Sequence, residues 1–188
     1  MRRRDVLAGV GSAGVLAGAG ALAVYGAPSP SALLGEDGER HDPLAIETVE
    51  APGSEAGEVL VPAQEQPTFI DIFGTWCPPC VEQMPELATA NERIGDQVLF
   101  ISVTNESVGE NRSITEAELV DWWDEHDGNW LLGLDPAAEL TERYLAGGYP
   151  TAAVIDATGR VRWADDGVHS ADEIVERIEA ETEAEETS

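Results

Sequence analysis

The segment Thr68-Phe69-Ile70-Asp71-Ile72-Phe73-Gly74-Thr75-Trp76-Cys77-Pro78-Pro79-Cys80 decides how the rest of the chain is read. Its first six residues form a short apolar run bounded by Pro67 and Gly74, the pattern of a central strand buried on both faces. Beyond it Val81, Met84, Leu87, Ala88 and Ile94 fall on one side of a helix expected from Pro79 to Ile94, with Gly95 as its stop. Pro85 lies inside that helix and is expected to kink it, because proline removes one hydrogen bond and crowds the preceding turn. The two cysteines of the chain therefore stand three apart at the junction of a buried strand and a helix.

Three chemistries could use such a pair. A purely structural disulfide closing a four-residue loop contributes only about 2 kcal/mol of chain entropy, a poor reason for its presence. A zinc site needs two further ligands, and His41, His126 and His169 are not in ligand spacing with one another, so no metal is expected. A redox pair uses the position itself: backbone N–H groups and the dipole at a helix N-terminus stabilise a thiolate and lower the pKa of the first cysteine. Cys77 is then the nucleophile, and Cys80, one turn into the helix, resolves the mixed disulfide by attacking the Cys77 sulfur. Pro78 and Pro79 remove two N–H donors and stiffen the loop.

Working outward, the hydrophobic pattern alternates between strand-like and helix-like periods, an α/β domain of about 135 residues. Ile46 to Val49 and Glu58 to Val61 flank Pro52-Gly53-Ser54 as an N-terminal hairpin. Strands are expected at Val98 to Val103, Trp130 to Leu134, Thr151 to Ile155 and Val161 to Trp163. Helices are expected from Thr115 to His126 and from Ala137 to Leu145, followed by a last one carrying Ile174, Val175 and Ile178. Thr115 with Glu118 forms a capping-box signature, and Ser170 caps the last helix. Trp122 and Trp123 cannot share a helix face, so at most one is core.

The ends read differently. Arg2, Arg3 and Arg4 precede an uncharged run from Val6 to Ala27, long enough for a bilayer, which needs roughly 20 apolar residues. Residues 1–27 are read as an export signal, with Arg3-Arg4-Asp5-Val6-Leu7 resembling a twin-arginine address, or as an N-terminal membrane anchor. Either places the remainder outside the cytoplasm, exported or tethered to the cell membrane. Residues 28–43 read as a linker, 44–180 as the folded domain, and 181–188 as an acidic disordered tail.

With 37 Asp and Glu against ten Arg and no Lys, the net charge is −27, which excludes an electrostatic nucleic-acid partner. In strong brine the Debye length falls to about 3 Å and the self-repulsion is screened, so the composition points to a salt-adapted source.

The run from Phe69 to Cys80 resembles the active-site strand and loop of the thioredoxin superfamily, with Pro85 at that family's helix kink. Gly148-Tyr149-Pro150-Thr151, before a strand and the turn at Gly159, is similar to its cis-proline segment. The hairpin, the Trp-Cys-Pro-Pro-Cys sequence and the added helix and strand between Thr115 and Leu134 resemble extracytoplasmic thiol-disulfide oxidoreductases of the TlpA and ResA type. The resemblance spans about Ile46 to Ile178. It implies a thioredoxin-like fold, a central mixed sheet flanked by helices with an N-terminal hairpin and a helix-strand insertion.

It also implies roles. Cys77 and Cys80 would form the redox-active disulfide, and Pro150 would be cis and face Cys77, presenting the Tyr149 backbone to an extended substrate. Trp76 would shield the loop. Asp71 would lie beneath Cys80 as its proton acceptor, which accounts for a carboxyl in an apolar strand where an uncompensated charge is costly. The plainer reading, a hydrogen bond within the strand, stands beside it. Where relatives often carry a Glu three residues after the second cysteine this chain has Gln83, which cannot exchange a proton, while Glu82 points elsewhere. The implied activity is disulfide exchange with protein partners and an upstream redox partner, by a monomer without cofactor, with apocytochrome c maturation a plausible duty. The alternative is a copper metallochaperone using both thiols and His169, against which stands the spacing of the pair; the plainer reading of His169 is a partly exposed loop histidine.

Overall fold

In a computed structural model of the chain, residues 39–186 are described. The Arg-led apolar run and most of the expected linker lie outside them. Among the described residues no helix is long and apolar enough to cross a membrane.

Among the described residues seven strands form one mixed sheet: β1 (Leu44–Thr48), β2 (Gly57–Val61), β3 (Thr68–Phe73), β4 (Leu99–Thr104), β5 (Leu131–Leu134), β6 (Thr151–Ile155) and β7 (Val161–Asp166). Their order across the sheet is β2-β1-β5-β4-β3-β6-β7. β3, β4 and β5 are parallel neighbours, and β6 lies antiparallel to β3 on its other side. Every residue of β3 and of β4 is buried, as expected of central strands covered on both faces. Among the described residues four helices complete the domain: α1 (Pro78–Ile94), α2 (Glu116–Glu125), α3 (Glu139–Tyr144) and α4 (Ala171–Glu186).

Alternation along β3 divides the core in two. Phe69 and Phe73 pack with Met84, Leu87 and Ile94 of α1, Leu119 and Trp123 of α2, and Ile174 and Ile178 of α4. Ile70 and Ile72 face the other way, toward Leu140 and Tyr144 of α3. With a side-chain period of two, Asp71 shares the α1 face. Burying each of these aliphatic and aromatic side chains contributes about 1.5–3 kcal/mol.

The hairpin is fastened to the core by its turn. Pro52 O accepts the indole N–H of the fully buried Trp123 (3.0 Å), and Leu132 N donates to Ser54 Oγ (3.1 Å). Gly53 sits at φ +74°, where a Cβ would run into the Asn129 backbone, so this turn requires glycine. Trp122, half-buried, stacks on Phe73 (5.1 Å, 16°), so one tryptophan of the pair is core and the other covers the end of β3. Thr115 and Glu118 form the expected capping box on α2.

Two boundaries differ from the sequence reading. Residues 39–42, assigned to the linker, join the domain: Arg40 bridges Arg160, His41 N donates to Gly159 O (3.1 Å), and Arg143 donates to Asp42 O (2.7 Å). The backbone groups at the β6–β7 turn would otherwise lack partners, and this segment supplies them. The expected disordered tail is helical to Glu186. Glu and Ala are good helix formers, and Glu181 lies 3.4 Å from Arg162 Nε, which carries the helix past its last apolar contact.

Candidate active site

The turn Gly74-Thr75-Trp76 leads from β3 into α1, and Cys77 N donates to Gly74 O (3.1 Å). A Cβ on Gly74 would stand 2.8 Å from the Trp76 indole, so only glycine lets that ring fold back over the turn. Thr75 is held by a residue that no sequence pattern singled out. Glu106, just past β4, accepts from Thr75 N (2.7 Å) and from Thr75 Oγ1 (3.0 Å), and is steadied by Thr104 Oγ1 (3.3 Å).

Cys77 is the N-cap of α1, and Pro78 and Pro79 occupy the first two helical positions. Because both prolines lack N–H groups, the first available helical donor is Cys80 N, which points at Cys77 Sγ (3.3 Å). Cys77 and Cys80 are joined as a disulfide, with Cα atoms 5.3 Å apart. Both are buried, at 3% and 1% exposure, so the difference in shielding expected between them is small in this oxidised state. Beside them Trp76 is 63% exposed. Its ring meets Tyr149 edge-on at 5.4 Å.

The Tyr149–Pro150 peptide is cis, as is Val61–Pro62, for which the sequence held no expectation. Ile72 pairs with Thr151, so continuing the antiparallel register sets Pro150 beside Phe73, at the sheet end that carries the cysteines. Gly167 N donates to Pro150 O (2.9 Å), and Thr151 Oγ1 donates to Gly148 O (2.6 Å), fixing the segment from both sides. Trp76, next to Cys77, thus meets Tyr149, the residue before the cis proline.

Asp71 is 1% exposed, and Ser102 Oγ donates to its Oδ2 (2.8 Å). Oδ1 has no partner among the described residues. Burial pushes the carboxyl up to about 7, against the lowering effect of the Ser102 hydrogen bond. Ser102 in turn accepts from Trp130 Nε1 (2.9 Å).

Gln83 is buried, at 1% exposure. Its amide spans the His169 backbone: Oε1 accepts from His169 N (2.6 Å) and Nε2 donates to His169 O (3.0 Å). Glu86 Oε2 accepts from Ala171 N (2.7 Å), so two α1 side chains cap the start of α4. This clamp corrects the expectation for His169, which is buried at 6% exposure, edge-on to Trp163 and 3.3 Å from Glu173. Among the described residues, no group of three or more His, Cys, Asp or Glu is placed to hold a metal ion.

A family model described as Redoxin matches residues 59–182. Sporulation thiol-disulfide oxidoreductase A of Bacillus subtilis (strain 168) is 22% identical over 126 residues, 66% of this chain and 74% of its own length. Thiol-disulfide oxidoreductase ResA of Geobacillus thermodenitrificans (strain NG80-2) is 25% identical over 115 residues, 60% of this chain and 61% of its own. Across the curated relatives the matched part runs from 28% to 74% of their own lengths. The crystal structure of StoA from Bacillus subtilis superposes with a TM-score of 0.59 at 19% identity, covering 72% of this chain and 95% of that one, a likeness of fold.

Proposed function

This chain belongs to the Redoxin family and has a thioredoxin-like fold, and from that footing we propose that it is a thiol-disulfide oxidoreductase acting on proteins outside the cytoplasm. The observation that carries the reading is the Cys77–Cys80 disulfide at the N-cap of α1, set against an exposed Trp76 and the cis Tyr149–Pro150 segment.

In the reducing direction the Cys77 thiolate attacks a disulfide sulfur of the partner protein, releasing one partner thiolate. The backbone N–H of Cys80 and the α1 dipole hold the negative charge on Cys77 Sγ. Trp76 and Tyr149 offer apolar surface to the partner, and the backbone about Pro150 orients its extended segment. Cys80 then loses its proton to Asp71 and attacks Cys77 Sγ; the intramolecular disulfide forms and the second partner thiolate leaves. A carboxyl poised near 7 can take that proton at neutral pH and return it afterwards. The reverse sequence oxidises a dithiol.

The extracytoplasmic site of action follows from residues 1–27 as export signal or anchor. Apocytochrome c is the substrate proposed for the reductive direction, because its haem-attaching cysteines must be reduced before thioether bonds form. The reduced chain is expected to reduce insulin disulfides and precipitate the B chain, and Cys77→Ser to abolish this. Equal turbidity with and without the reduced protein would contradict the activity.

A further inference from the structure

Three buried side chains from three strands or strand ends meet in the core. Trp130 precedes β5, Ser102 lies in β4 and Asp71 in β3, separated by 28 and 31 residues along the chain. All are buried, and Trp130 belongs to the same apolar cluster as Cys77 and Cys80. The polarity of this chain of hydrogen bonds is fixed by its far end. An indole N–H can only donate, so Ser102 Oγ must accept from Trp130. The single hydroxyl proton of Ser102 is then free to point onward, and the acceptor in line is Asp71 Oδ2. Oδ2 is thereby held as an acceptor, whereas Oδ1 has no partner among the described residues.

We propose that Ser102 and Trp130 are positioning residues of the redox reaction: with the Ser102 hydroxyl donating into Oδ2, the proton of Asp71 is directed to Oδ1. The proposal rests on the reading of Asp71 as proton acceptor for Cys80 and adds which oxygen does the work. When Cys80 resolves a mixed disulfide, its S–H proton passes to Oδ1. The Cys80 sulfur then forms its bond to Cys77 Sγ, and the partner sulfur leaves with the electron pair of the bond that breaks. Were Ser102 free to rotate, a protonated Oδ2 could donate to it. The neutral acid would be stabilised on the wrong oxygen, and less of the carboxyl would be ionised to accept a proton at neutral pH.

The test follows Asp71 directly in the full chain by NMR, with the Trp130 indole N–H as a second reporter. In the wild type the indole resonance is expected to titrate with the same midpoint as the Asp71 carboxyl carbon; an indole signal flat through that titration overturns the relay. In a stopped-flow assay of thiol release from a Cys77 mixed disulfide, Ser102→Ala is expected to move the pH midpoint up by about one unit. Trp130→Phe should move it the same way, and Ser102→Thr should restore it. A merely structural role would lower the thermal midpoint and leave the pH midpoint in place. An unmoved midpoint in Ser102→Ala, with Asp71→Asn still erasing the titration, overturns the relay alone. A profile that Asp71→Asn leaves intact overturns the reading on which it rests, and the relay with it.

Discussion

The Glu106 carboxylate holds Thr75 by two hydrogen bonds, at its backbone N–H (2.7 Å) and at its hydroxyl (3.0 Å), two residues before Cys77. The end of β4 therefore anchors the turn that presents Trp76 and Cys77. A charge-assisted hydrogen bond of this kind contributes about 1.5–3 kcal/mol. Glu106→Ala is expected to lower stability by about that amount and to slow disulfide reduction, whereas Glu106→Gln keeps an acceptor for Thr75 N and should retain most of both. Urea denaturation with parallel insulin assays checks this; an alanine variant indistinguishable from wild type would show that the turn holds its shape unaided.

Asp71 predicts a pH dependence of stability. Its carboxyl rises from an ordinary 3.8 to about 7 on folding, so the native state binds the extra proton between these values. Stability from this group is complete below about pH 4, declines as pH rises, and is lost above about 7. The whole span corresponds to roughly 4 kcal/mol. Asp71→Asn should match the wild type at pH 4 and exceed it by a few kcal/mol at pH 8.5. Parallel denaturation curves for the two proteins across that range would remove the premise that a buried carboxyl titrates there.

Much of this arrangement was legible in the sequence, for identifiable reasons. The strand, turn and helix from Thr68 to Ile94 could be read because apolar periodicity, Gly74 and the cysteine position all act locally. Between Thr68 and Cys80 the acidic residue is Asp71, and it stood out for that reason. Ser102 and Trp130 were not connected to it because their meeting depends on which strands are neighbours, and that order is set across tens of residues. A serine inside the apolar run Leu99 to Val103 was the available signal. Glu106 gave none, being one acidic residue among many. His169 was misjudged because its burial comes from Gln83, on another helix, gripping its backbone. The tail was misjudged because composition alone does not separate a solvated helix from a disordered end.

The Gln83 clamp leads to a third expectation. Gln83→Glu can still accept from His169 N, but an ionised carboxylate cannot donate to His169 O, leaving that buried carbonyl facing negative charge. The substitution should cost about 1–3 kcal/mol at pH 8. The loss should shrink on acidification, because the protonated acid regains a donor. A loss equal at pH 8 and pH 5 would point to simple steric misfit.

Net charge supplies a fourth. At −27 without a single lysine, the folded chain repels itself at low ionic strength and is relieved by screening. Its thermal midpoint should climb between millimolar and molar salt, for potassium chloride as for sodium chloride. A flat midpoint would mean that the acidic side chains are spaced widely enough to cost nothing.

The central claim is that Cys77 attacks and Cys80 resolves. Its most direct measurement is the capture of a mixed disulfide by the Cys80→Ser chain, incubated with a disulfide-bearing protein and digested for mass spectrometry. The account predicts a stable adduct whose cross-linked peptide contains Cys77, absent from Cys77→Ser and dispersed in the wild type by Cys80. Failure of Cys80→Ser to form any adduct through Cys77, under conditions where free thiols react, would contradict it.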